Sequence, residues 1–140
     1  MRFMIIVRAT PDTEAGVMPP QSMFDEMGAF HEELHKAGVL VAADGLQPSS
    51  KGWRIEYRGS DRAVVDGPFP ETKELIAGFT IIEVASRDEA LAWSKRYPKP
   101  HVTDGAIEVR QIYEIEDFVG ADVERFKELE RKLDAQREGL

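Results

Sequence analysis

The tripeptide Asp66-Gly67-Pro68 is the feature that most narrows the folds open to this chain. Pro68 has a fixed φ and no N–H to give to a sheet, and Gly67 supplies backbone freedom, so a strand cannot continue through these residues. Apolar runs flank them, Ala63-Val64-Val65 before and Ile76-Ala77-Gly78-Phe79-Thr80-Ile81-Ile82 after. The chain must leave one strand, pass through a polar turn and enter another strand. That turn carries Asp66, Glu71, Thr72, Lys73 and Glu74, and polar loops held by strands are frequent sites of function.

Hydrophobic spacing assigns the rest. Residues 2–8 are apolar on both faces until Arg8, which fits a central strand. Residues 9–20 contain Pro11, Gly16, Pro19 and Pro20 and read as a structureless loop. Met23, Met27, Phe30, Leu34 and Ala37 form one stripe and predict a helix over 20–37, stopped by Gly38. A strand at 39–43 follows, then a loop at 44–52. Strands at 53–58 and 62–66 make a hairpin about Gly59-Ser60-Asp61. A strand at 78–84 leads to Ser86 and Glu89, whose spacing is that of a capping box, and a helix runs from there to about Tyr97. Pro98 and Pro100 end it, and a strand at 106–113 closes the unit.

The order is βαβ, hairpin, βαβ. It matches a ferredoxin-like α+β plan, an antiparallel sheet with both helices on one face. The sheet's other face needs a cover or solvent. The domain is expected over 1–114. Residues 115–140 form an appendage, an acidic linker followed by a helix over 122–138. Its narrow stripe of Val123, Phe126, Leu129 and Leu133 must dock on its own domain, a dimer mate or another protein.

The wording Asp66-Gly67-Pro68-Phe69, then Glu71-Thr72-Lys73, then Gly78-Phe79 resembles the DGPF-domain proteins of the YCII-related family, and the resemblance spans residues 1–113. It implies a ferredoxin-like fold and a homodimer with sheets face to face, a dimeric α+β barrel. Shorter relatives carry a His–Asp pair as acid and base. The resemblance would place the acid at Asp44 and the base at His31 or His35. A carboxylate beside an imidazole raises the imidazole pKa and fixes its tautomer, which suits proton transfer near neutral pH. The plainer reading of Asp44 and Asp66 is as turn formers that bond local N–H groups.

Composition sets outer limits. The net charge of −8 argues against duplex nucleic acid, which is bound by neutralising phosphates. With no cysteine there is no thiol nucleophile and no cysteine-held zinc. The apolar run after Met1 is too short for a signal-peptide core or for the ~20 residues of a membrane span, so a cytoplasmic protein is expected. His31-Glu32-Glu33-Leu34-His35 matches H-E-x-x-H. A zincin would need a third ligand where Val41 stands, so boundary histidines and no metal are expected. Neither a phosphate loop nor G-x-S-x-G is present.

Two function classes remain. In the first, a cofactor-free pocket binds a small anionic or cyclic molecule and moves protons. Asp66, Asp44 and His35 would act as acid–base groups, and Lys73, Thr72, Ser50, Lys51, Arg54 and Arg110 would hold the ligand. The turns at 44–52 and 66–75 are expected to meet over that pocket. In the second, the protein is a non-catalytic interaction module. The family resemblance links that reading to sigma-factor-type partners in transcription.

Overall fold

The computed structural model describes residues 1–139. The first strand, β1 (Arg2–Arg8), alternates buried and half-buried residues because it has a neighbour on each side. One neighbour is β5 (Ile76–Glu83) and the other is β6 (Ile107–Gln111); β2 (Leu40–Gly45) pairs with the far side of β5. The order is β2-β5-β1-β6, and every pairing is antiparallel. This is the ferredoxin-like order expected from the sequence. The hairpin, β3 (Trp53–Arg58) and β4 (Asp61–Asp66), is a separate two-stranded sheet inserted between β2 and β5.

The helices follow from their stripes and caps. A short helix, α1 (Pro11–Glu14), occupies the segment expected to be a loop. Thr10 caps it by accepting from Thr13 N at 3.2 Å, and Pro11 starts it, where a missing N–H costs nothing. The long helix, α2 (Gln21–Lys36), buries Phe30 and Leu34, and Gly38 takes a left-handed φ of 73° just beyond its end. In α3 (Arg87–Lys95), Ser86 Oγ accepts from Glu89 N at 3.1 Å, while the Glu89 carboxylate reaches Ala85 N at 3.0 Å. This helix ends two residues before Tyr97, which lies in the turn that follows. The last helix, α4 (Glu124–Glu138), begins later than the stripe alone indicates and buries none of its residues.

Cross-strand partners share a face, so register fixes the two sides of the sheet. Phe3, Ile5, Ile82 and Val84 lie on the helix side and pack with Phe30, Leu34, Val39 and Ala90. Phe30 meets Trp93 and Tyr97 edge-on at centroid distances of 6.2 and 5.3 Å. Burying each large apolar side chain contributes roughly 1.5–3 kcal/mol, so this cluster is the main source of stability. The opposite face carries Met4, Ile6, Phe79 and Ile81, with Glu108 and Arg110 along the β6 margin.

Candidate functional site

A polar residue stands where the core pattern calls for an apolar one. Thr80 shares the inward face of β5 with Ile82 and is 1% exposed. A buried hydroxyl needs partners, since leaving it unpaired costs about 1–3 kcal/mol. His31 supplies one from α2, its Nε2 lying 2.8 Å from Thr80 Oγ1. Tyr97 supplies another from the turn after α3, its hydroxyl 3.4 Å from the same atom.

The proton positions follow from the partners. His31 Nδ1 lies 2.7 Å from the carbonyl oxygen of Met27, which can only accept, so Nδ1 carries the hydrogen. In the neutral ring Nε2 is then an acceptor, and the Thr80 hydroxyl donates to it. Thr80 Oγ1 in turn accepts from the Tyr97 hydroxyl. The result is a directed chain from Tyr97 through Thr80 to His31. Burial raises the Tyr97 pKa above the usual phenol value, and the Thr80 contact lowers it in part. Tyr97 is therefore an uncharged hydroxyl at neutral pH.

These groups border a cavity of ≈ 360 Å³ together with Asp44, Phe79, Met27 and His101. That volume falls within the range of small-molecule pockets. His101 is 8% exposed and its Nε2 is closed off from solvent without a hydrogen-bond partner among the described residues. Gly105 lies against its ring, where a Cβ would come 2.7 Å from Cδ2.

The residues expected from sequence are divided among several places. Asp44 borders the cavity, but in register it opposes Phe79, whereas its neighbour Ala43 opposes Thr80. Neither histidine of α2 is hydrogen-bonded to it among the described residues. His35 is exposed. Asp66 is exposed at the end of β4, opposite Trp53, and lies outside the cavity lining. The expected meeting of the turns at 44–52 and 66–75 over one pocket is not what the lining shows, because only Asp44 and Gly45 of those residues border the cavity.

The DGPF segment instead packs on a short turn at Ser49–Lys51. Gly67 N donates to Gly52 O at 3.0 Å, and Phe69 N donates to Ser49 Oγ at 3.0 Å. Ser50 and Lys51 are exposed on that turn. Arg54 lies over the Phe69 ring at 3.8 Å and pairs with Glu71 at 3.4 Å. Thr72 opens a turn at Thr72–Glu74 whose Lys73 carbonyl accepts from Arg8. Lys73 borders an open hollow with Arg8 and Glu108. Arg110, on the face away from the helices, pairs with Glu108 at 3.6 Å. The expected cations thus lie on loops and strand margins, and none borders the cavity.

Sequence reasoning did not single out Thr80, Tyr97 or His101. For Thr80 the signal was available, a hydroxyl at an inward position of an apolar strand. Tyr97 read as a helix end and His101 as part of a loop, and nothing in their spacing points to a shared cavity.

A family model for the YCII-related domain matches residues 1–116, most of the chain and all six strands. The chain belongs to the YCII-related family. An uncharacterized protein of Rhizobium meliloti (strain 1021) is 32% identical over 87 residues, which is 62% of this chain and 70% of that one. Among solved structures, this YCII-related chain is similar to 5-chloro-2-hydroxyhydroquinone dehydrochlorinase (TftG) from Burkholderia phenoliruptrix AC1100 in complex with 2,5-dihydroxybenzoquinone. That likeness is at 15% identity and a TM-score of 0.45, covering 84% of this chain and 98% of the other. No helix among the described residues is long and apolar enough to cross a membrane.

Proposed function

We propose that this YCII-related protein binds a small organic molecule in the Tyr97–His101 cavity and moves a proton to or from it without a cofactor. The supporting observation is the chain Tyr97–Thr80–His31. A ligand group beside the Tyr97 hydroxyl gains or loses a proton there. Thr80 passes the charge on, and His31 stores it while Met27 O holds the ring in place. For a proton leaving the ligand, the phenol oxygen accepts it as its own hydrogen moves to Thr80. The Thr80 hydrogen moves to His31 Nε2 in the same event, so each oxygen ends neutral and His31 ends as imidazolium. A histidine in this role operates near neutral pH.

Exchange of hydrogens α to a carbonyl tests this. Small cyclic ketones and lactones in deuterated buffer are followed by proton NMR with and without the full chain. Wild type is expected to speed loss of the α-proton signal. Tyr97→Phe and Thr80→Val are expected to lose that gain, and His35→Ala and Asp66→Asn to keep it. Exchange at the buffer rate across the panel, or full activity in Thr80→Val, would remove the proposal.

A second reading, an interaction module, rests on α4. Its Phe126, Leu129 and Leu133 face a groove of ≈ 490 Å³ bordered also by Tyr113, Phe118 and Arg2. Phe126 remains 63% exposed. This reading gives the appended helix a protein partner, with sigma-factor-type proteins as candidates. Deletion of residues 119–140 would abolish partner binding while the sheet domain stays folded.

A further inference from the structure

The cavity's border is unusual for a chain with so many charges, since 31% of its residues are Asp, Glu, Lys or Arg. No lysine or arginine borders it, and its single carboxylate is that of Asp44. Val7, Pro19, Met27 and Pro100 make apolar walls. The hydrogen-bonding groups there are largely committed. Thr13 Oγ1 donates to Thr10 O at 3.0 Å and accepts from Thr10 N at 2.8 Å. Both His31 nitrogens are engaged, by Met27 O and by Thr80. Thr80 is shared between His31 and Tyr97. His101 Nε2 is buried without a partner, and the Asp44 carboxylate makes no hydrogen bond among the described residues. What remains open to a ligand is the lone-pair side of the Tyr97 hydroxyl, the Asp44 carboxylate and an apolar shell.

We infer that the ligand of this site is uncharged: a molecule with an apolar body of one or two rings carrying a hydroxyl group that donates to the Tyr97 oxygen. This rests on the cavity being the binding site and replaces the anionic half of the sequence expectation. A carboxylate or phosphate entering here gives up its water with no cation to replace it, and desolvating an unpaired charge is the costliest step in binding. It also meets the field of Asp44. A neutral ring loses little on leaving water and gains contact with the walls. The cations that sequence reasoning assigned to an anion lie elsewhere. Arg54 is on Phe69 and Glu71, Arg110 is on Glu108, and Lys51 and Lys73 lie on turns outside the cavity border.

Two probes that share a cyclohexyl ring separate the alternatives. The ¹⁵N-labelled full chain is titrated at neutral pH with cyclohexanol and, separately, with cyclohexanecarboxylate, following the backbone amides of Gly78, Thr80 and His101. Cyclohexanol is expected to shift these amides saturably, with the carboxylate weaker by about tenfold or more. In Met27→Lys, which places a cation on the border, the carboxylate is expected to gain at least about tenfold and close that gap. Carboxylate binding at the same amides as tightly as the alcohol would overturn the charge assignment and leave the cavity as a binding site. No gain in Met27→Lys, with the variant folded by its amide spectrum, would also overturn the charge argument. If neither probe moves these amides, the cavity itself is excluded as the site. Proton-transfer failure is distinguishable from all three outcomes, since it leaves alcohol binding intact while the deuterium exchange stays at the buffer rate.

Discussion

Tyr97 shows how much one residue's surroundings change its chemistry. The other two tyrosines, Tyr57 and Tyr113, are 68% and 69% exposed, while Tyr97 packs on Phe30 and faces Thr80. Its raised pKa means that the folded chain holds the phenol proton at a pH where the unfolded chain has lost it. The stability tied to Tyr97 is therefore intact below the ordinary value of 10.0 and declines as pH rises through the folded value. A spectrophotometric titration of phenolate absorbance is expected to show a late component above the ordinary value of 10.0. Tyr97→Phe should remove that component and make alkaline unfolding less steep. A titration that Tyr97→Phe leaves unchanged would contradict the assigned burial. None of this was visible in the residue's sequence setting, a tyrosine between Arg96 and Pro98. The environment comes from Phe30 and Thr80, which long-range pairing brings to it.

At the scale of elements, sequence spacing located the sheet and its helices well because their signals are local. Caps, stripes and alternation are written within a few residues, as Ser86 with Glu89 and Phe30 with Leu34 show. The segment at 9–20 was harder to read, since its prolines and glycine suggested only a loop. Pro11 in fact begins a helix because Thr10 is there to cap it. The DGPF segment was located correctly as a turn, but its purpose was not legible. Gly67 has to be glycine because a Cβ would lie 1.8 Å from the Ser49 carbonyl oxygen. Gly28, inside α2, has nothing within 4 Å of its would-be Cβ. Gly67→Ala is expected to cost about 1–3 kcal/mol or more, as overpacking does. Gly28→Ala is expected to stabilise by roughly 0.5–1 kcal/mol through helix propensity. Urea unfolding of the two variants checks both signs. Equal effects would mean that the Ser49 contact does not constrain the turn.

For the whole molecule, the unbalanced feature is the distribution of apolar surface. The sheet face away from the helices carries Met4, Ile6, Phe79 and Ile81, and the hairpin exposes Trp53 at 65% and Val64 at 67%. Patches of this kind usually mark contact with another protein. Association of two chains through this sheet face would cover Ile6 and Phe79 and leave Glu108 and Arg110 at the rim. Sedimentation velocity is expected to give twice the 15.8 kDa chain mass, and Ile6→Lys to return it to one chain. A wild-type protein that sediments as one chain would refute this arrangement. Ile6 does not border the cavity at Tyr97, so Ile6→Lys should leave cyclohexanol binding unchanged.

The Ser49 hydroxyl, met above as the acceptor for Phe69, also donates to the Glu14 carboxylate, and Ser49 N donates to the same group at 3.0 Å. Three stretches distant in sequence are thereby tied at one point: α1, the turn before β3 and the DGPF segment. Thr13 of α1 forms part of the cavity border. Displacing α1 to widen the entrance would therefore pull on the hairpin through Ser49. The segment most conspicuous in the sequence would then act as a hinge stop, setting how far the entrance can open without itself touching what enters.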